Sequence, residues 1–513
     1  MTAFTGTGSL IRFVLRRDRW VLPFWIAVAA FIPFSLASGT DTLYPTPEAL
    51  QNYTEASMSN PATVAMRGLI YAPTLGGVSA WGAGMSSALV CAIASLLTVI
   101  RHTRAEEEAG RLEILGATGI GRHANLTATL IVVLVANLAT GMLLALGLIS
   151  LDLPPSGGIV LGLSCAAVGV SLGAVAALAA QLTPSSRAAR GIAFGSLATL
   201  FALRAVGDVQ ADNLSWLSWS SPFGWARLTQ PYVGDRWWIF GLFALFILVL
   251  SAAAYALSSR RDLATGLLPE RFGPATAPPR LRGVFALAWR SHRGALLAWS
   301  TAYALLGVLI GAAGRGSTEE QLGGAFTGAD ALFSFLLLIF SQAAAGYAIL
   351  TALRGGSEER DGLAELLLSS APNRVRWAGA HLAFAVVGPV ALLGLAGLGM
   401  ALTSSDFLGT LVAALIWLPA VWLIAAIALA LWGWLPRLAT PVSWALLAGF
   451  LFLELAFEFG QVGEAVVELS PFTHIPRVLL GADLAPLPLA VLLAITTGLI
   501  AVGLAGIRRR DIG

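Results

Sequence analysis

Two matching sets of carboxylates are the residues of this chain best placed to do chemistry. Glu106-Glu107-x-x-Gly110-x-x-Glu113-Ile114-Leu115 is repeated as Glu358-Glu359-x-x-Gly362-x-x-Glu365-Leu366-Leu367. Carboxylates grouped on a short helical stretch bind guanidinium groups through charge-assisted hydrogen bonds, and the apolar residues that follow offer a packing surface. The pattern therefore suits docking on a partner surface. One such loop would read as an ordinary solvated charged loop; two copies at equivalent places favour a docking element. A second set is intramembrane charge: Arg204, and Glu454 with Glu458 one helical turn further on. Ionisable groups inside apolar spans are costly, and they line a cavity, pair with each other or sit near the outer water. Chemistry of other kinds is poorly supplied. His102, His123, His292, His381 and His474 are scattered with no metal-ligand spacing, and Cys91 and Cys165 lie in apolar runs as small core residues. No Ser/His/Asp arrangement can be argued from spacing, so neither a catalytic site nor a metal site is expected. The chain has no lysine, which excludes a G-x-x-x-x-G-K-[ST] phosphate loop; if ATP drives the protein, another chain must bind it.

These residues must be positioned by membrane helices. The 513-residue chain is 57% hydrophobic and only 12% charged, too apolar for a soluble globule. A hydrocarbon core needs about 20 apolar residues per helix. Twelve spans result: 20–37, 76–100, 125–149, 158–181, 191–207, 236–257, 294–314, 329–351, 379–402, 408–431, 441–459 and 485–506. Ser35-Leu36-Ala37 looks like a signal-peptidase site, but its run carries Pro23, Trp25 and Pro33, and a similar unit recurs mid-chain, so cleavage is not expected. Of the 31 arginines, 25 fall in alternate gaps, five (Arg67, Arg227, Arg236, Arg315, Arg477) fall in the others, and Arg204 lies within a span. Arginine in short loops stays on the cytoplasmic side, which puts both termini and both acidic loops in the cytoplasm. The small net charge of +3 is no nucleic-acid signal.

The chain also repeats itself. Leu10–Trp25 resembles Val284–Trp299, with Arg16 against Arg290, Arg19 against Arg293 and Trp25 against Trp299; the acidic loops follow, and then Ser221-Pro222-Phe223 against Ser470-Pro471-Phe472. The same order in each half makes a parallel repeat of six spans. The expected architecture is an all-α polytopic membrane protein: repeat 1–257 with an N-terminal interfacial helix, a Pro-rich cytoplasmic linker 258–283, and repeat 284–513. Leu10–Trp20 suits an interfacial helix or a plain positive-inside anchor. Ser-Pro-Phe suits a turn or short re-entrant helix at the outer interface, with Trp216, Trp219 and Trp225 at headgroup depth, or an ordinary aromatic belt. Glycine pairs Gly158/Gly162, Gly169/Gly173 and Gly307/Gly311 suit close helix packing.

With these features assembled, the chain resembles the permease subunits of ABC-2 type exporters. It looks most like the fused two-repeat permeases of polyketide-antibiotic exporters, the tetronasin-resistance type. The residues that carry this are RHTRAEEEAGRLEILGATGIGRHA, its weaker echo at 357–376, and the outer loop TLYPTPEALQNYTEASMSNPATVAMRGLIYAP. The resemblance implies a bacterial plasma-membrane protein whose loops at 101–124 and 353–377 are coupling helices seated on two copies of a soluble ATPase. ATP and Mg would belong to that partner, and this chain would hold no cofactor. Leu10–Trp20 and Val284–Arg293 would be connecting helices along the inner leaflet, and the Ser-Pro-Phe loops would cap the path of a bulky amphipathic antibiotic or drug. The second loop departs from the first: Gly356 stands where Arg104 does and Arg360 where Glu108 does, so the halves could couple unequally. Alternatives remain. A proton-driven transporter also has twelve spans in two parallel halves, the cargo could be a lipid or cell-envelope component, and a protein relaying ATPase motion to an outer enzyme would need a larger outer domain than the loop near 38–75.

Overall fold

The computed structural model describes residues 2–59, 61–112, 119–209, 216–261, 266, 276, 283–315, 329–369, 373–404, 406–458 and 464–510. It is helical, with no strand among the described residues. Twelve helices are long and apolar enough to cross a membrane. The chain divides into two compact units, Met1–Gly273 and Pro274–Gly513, at a point inside the proline-rich stretch.

In the first unit the helices are α1 (Thr7–Arg17), α2 (Val21–Leu43), α3 (Pro47–Met58), α4 (Pro61–Arg67), α5 (Leu75–His102), α6 (Arg104–Glu108), α7 (Ala124–Ile149), α8 (Pro155–Leu182), α9 (Ser186–Val209), α10 (Trp216–Trp219), α11 (Pro222–Leu228) and α12 (Phe240–Arg260). In the second they are α13 (Val284–Arg315), α14 (Ala329–Ala352), α15 (Arg354–Arg360), α16 (Leu363–Leu368), α17 (Arg374–Ala401), α18 (Phe407–Leu415), α19 (Leu418–Trp434), α20 (Pro436–Glu458), α21 (Glu464–Val467) and α22 (Pro486–Arg509).

Both units are built on the same plan. The second and fourth spans of each are the most buried, with 61% and 72% of their apolar windows enclosed in the first unit and 78% and 67% in the second, against 17–44% for the other eight. Those two spans are the axis, and the remaining four present apolar faces outward as lipid-facing helices must. Around the first axis pack Leu96, Val99, Leu144, Leu172 and Phe243; around the second, Tyr347, Leu392, Leu429, Trp432 and Phe472.

Small residues let the helix backbones touch. A Cβ on Gly162 of α8 would lie 2.2 Å from the carbonyl oxygen of Gly141 on α7, and one on Gly307 of α13 would lie 2.5 Å from that of Ala396 on α17. Between α7 and α5, Asn137 donates to the Ser95 hydroxyl at 2.8 Å, which satisfies a polar side chain deep in the bundle.

Two expectations about the helices change. Val284–Arg293 is not a separate connecting helix; it runs without a break into the seventh span as part of α13. In the first unit, by contrast, α1 ends at Arg17 and α2 begins at Val21. The difference lies at one equivalent position. Asp18, a residue that prefers helix ends, reaches across to His102 on α5; its counterpart His292 reaches His381 on α17 from within the helix. The tenth span is also interrupted, at Ile416-Trp417, because Pro419 has no N–H for the carbonyl of Leu415.

Candidate functional site

The acidic loops are held by their own chain. Glu107 is bridged by Arg104, the third residue before it, and by Arg261, whose Nη2 lies 2.7 Å from its Oε1. Arg261 follows the end of α12 and also donates from Nε to Gln181 at 2.7 Å. Glu359 is bridged by Arg510, which follows the end of α22, and accepts from the Trp432 indole at 3.2 Å. The same carboxylate of each repeat is thus tied to the arginine that ends the same unit's last span. Glu106 pairs with Arg17, the last residue of α1, and with Arg111; Glu358 accepts from the Trp377 indole at 3.1 Å and lies 3.3 Å from His381.

Glu106, Glu107, Glu358 and Glu359, expected to reach arginines on another surface, have partners within this chain. Their side chains are 7%, 9%, 11% and 23% exposed and already engaged. The departures between the loops are compensated. Gly356 leaves room for the Trp432 indole, whose Nε1 would lie 3.0 Å from a Cβ placed there, so Trp432 takes the place that Arg104 has in the first unit. Glu108 accepts from the backbone N–H of Ser186 at 3.0 Å and so caps the start of α9.

Gly110 and Gly362 both adopt the left-handed backbone, with φ of +69° and +71°, at the turn where the first short helix of each loop ends. Beyond the turn of the second loop, Glu365, Leu363 and Leu366 are exposed, Leu366 at 71%. Glu113, Ile114 and Leu115 of the first loop lie outside the described residues.

Arg204 and Glu454 are buried, each within its own unit. Arg204 on α9 is 0% exposed; it lies 3.3 Å from Asp208 one turn later, donates to the carbonyl of Met66 at 3.0 Å, and stacks over the Phe201 ring at 4.5 Å. Asp208 also accepts from the Ser218 hydroxyl at 2.8 Å and pairs with Arg227 at 3.0 Å. The carboxylate bound to Arg204 is therefore Asp208, which sequence reasoning missed even though an Arg/Asp pair four residues apart was there to read. Glu454 on α20, at the repeat position equivalent to Arg204, is buried and accepts from the Thr473 hydroxyl at 2.7 Å. The side chain of Glu458 is outside the described residues.

The Ser-Pro-Phe motifs position the residues around Asp208 and Glu454. Ser221 caps α11, its hydroxyl accepting from the Phe223 N–H at 3.3 Å and donating to the carbonyl of Leu200 at 2.7 Å. Ser470 accepts from the Phe472 N–H in the same way at 3.2 Å. In the first unit the short helix aims Arg227 at Asp208 and at the Tyr71 hydroxyl. Burial pushes the Tyr71 phenol above its ordinary pKa; Arg227 opposes that, and Asp208 adds to it. Trp225, expected at headgroup depth, is buried against Phe243 and Phe246, whereas Trp216 is 74% exposed.

Known proteins share this chain's whole extent. The family model described as multidrug efflux system permease Rv1217c, C-terminal domain, matches residues 281–508. The chain is 41% identical over 533 positions to the multidrug efflux system permease protein Rv1217c of Mycobacterium tuberculosis (strain ATCC 25618 / H37Rv), an alignment that covers 100% of this chain and 96% of that protein. Identity at that level along both full chains, together with twelve membrane-type helices, places the protein in the Rv1217c family of multidrug efflux permeases.

Proposed function

We propose that this chain is the permease subunit of an ATP-driven exporter of the ABC-2 type, resembling the tetronasin-resistance type. It would move bulky amphipathic drugs out across a bacterial plasma membrane, with both termini in the cytoplasm. ATP and Mg would be bound by two copies of a separate soluble ATPase seated on the acidic loops. The observation that carries this reading is the duplicated loop, each copy fastened to the second span of its unit and, through Arg261 or Arg510, to the end of the last span. A force applied to such a loop moves two helices together, as coupling to a motor requires. The buried glutamates are then the rigid mounting, and the exposed Leu363, Glu365 and Leu366 are the face offered to the partner. The absence of lysine, and with it of a phosphate loop, supports giving ATP to the other chain.

A proton-driven transporter is the second reading, favoured by one observation. His292 lies 2.9 Å from His381, which lies 3.3 Å from Glu358, a buried row of proton-exchanging groups. Reconstitution in liposomes separates the two. Drug export that requires a co-expressed ATPase and ATP supports the first; export by this chain alone on a proton gradient rejects it.

A further inference from the structure

The cluster around Asp208 is electrostatically unbalanced. Arg204 and Arg227 both lie against this one carboxylate, and the three side chains are 0%, 5% and 0% exposed. Among the described residues no other carboxylate pairs with either guanidinium. Among the described residues, two buried cations and one anion leave one positive charge, and an uncompensated buried charge is costly. Arg227 points to where the compensation belongs. It donates to the Tyr71 hydroxyl and pairs with Asp208, but its Nε has no hydrogen-bond partner.

Arg227 lines a cavity of about 50 Å³ with Arg67, Tyr71 and Trp81. Arg67 stands over the Trp81 ring at 5.1 Å, and its side chain is exposed, so it marks the mouth. Gly68 makes room for the arrangement. Its φ is +93°, and a Cβ there would come within 2.8 Å of the Arg227 Cδ. The cavity has room for a head group of a few atoms, walled by aromatic rings and surplus positive charge.

We propose that this cavity receives the carboxylate of an amphipathic organic acid, and that the exporter selects anionic amphiphiles over neutral ones of the same shape. The proposal rests on the drug-export reading and names its substrate class. Arg227 in the cavity wall and Arg67 at its mouth would attract the carboxylate, and the apolar body would remain outside the cavity.

The test is equilibrium binding to the full chain in phosphatidylcholine nanodiscs, without ATP or ATPase. The probes are a dansyl-labelled undecanoic acid and its methyl ester, with binding to empty nanodiscs subtracted. The acid should bind about tenfold more tightly than the ester at low salt, and high salt should shrink the ratio. Arg227→Gln should abolish the ratio. Since that change disturbs a buried ion pair, Arg67→Gln at the exposed mouth is the second variant, and it should reduce the ratio by about threefold. Equal affinity of acid and ester in the native chain overturns the proposal, as does an acid preference that neither variant alters. Because binding is read without the partner, such a result leaves the export reading standing. Conversely, loss of ATP-dependent export alongside an intact acid preference rejects that reading and keeps the pocket.

Discussion

Glu107 shows how a motif residue changes meaning once its neighbours are known. Lying between Arg104 and Arg261, it neutralises two buried guanidiniums. Glu107→Gln should cost about 3–5 kcal/mol, because each arginine loses its counter-charge away from water. Thermal unfolding in detergent measures this, and the double variant Glu107→Arg/Arg261→Glu should recover part of the loss relative to Glu107→Arg alone. Glu365 is the contrasting case. It is exposed, so Glu365→Arg should change stability by less than about 0.5 kcal/mol while weakening retention of the ATPase in co-purification. Equal loss of folded protein in both variants would remove the distinction between mounting and docking face. Asp18 adds a pH dependence. Burial raises its carboxyl pKa, but the bond and charge of His102, with Arg101 and Arg17, outweigh burial and hold it below the ordinary value. A depressed carboxylate contributes stability that is present above its unfolded pKa and is lost as pH falls through the lower folded one. Melting temperatures taken from neutral pH to below about pH 4 should therefore fall more steeply in the native protein than in Asp18→Asn.

The helices and turns carry their own expectations. Gly110 and Gly362 have open space where a Cβ would point, so substitution there meets only backbone strain. Gly110→Ala should cost about 1–2 kcal/mol, and Gly110→Asn should cost less because asparagine tolerates the left-handed region. Limited proteolysis of the loop in the two variants compares them. Gly162 is the opposite case: its φ is unexceptional, but any side chain strikes the Gly141 carbonyl. Gly162→Leu should force α7 and α8 apart and abolish monodisperse protein on size exclusion, whereas Gly191→Ala, with nothing within 4 Å, should be neutral or slightly stabilising. The acidic loops were legible as elements because their spacing repeats. The unbroken α13 was not, since Val284–Trp299 matches Leu10–Trp25 in its arginines and tryptophan and differs in what position 292 binds.

Along the whole chain, the one-sided placement of arginine predicts the orientation in the membrane. Cysteines placed at Gly110 and Gly362 in a background lacking Cys91 and Cys165 should be labelled by impermeant maleimide only from the cytoplasmic side. Labelling from outside would overturn the topology and the docking of an ATPase with it. Both native cysteines are buried, which makes their removal a small-residue exchange in the core.

Hydropathy, arginine placement and internal repetition depend only on residue order. From these alone came the all-α class, the twelve spans, the expectation of parallel halves and the exclusion of a lysine-containing phosphate loop. What order cannot show is which charge meets which, because a guanidinium and its carboxylate are often far apart in sequence. Arg261 lies 154 positions from Glu107 and Arg510 lies 151 from Glu359, and packing of each unit's last span against its fourth brings them together. The same holds for Arg227 and Tyr71, 156 positions apart. Tertiary structure decided that the repeated glutamates are engaged within the chain, that Arg204 belongs to Asp208, and that, among the described residues, two guanidiniums share that one carboxylate beside a cavity. The reason is the cost of burying charge: every ionised group removed from water must find a partner wherever the fold supplies one.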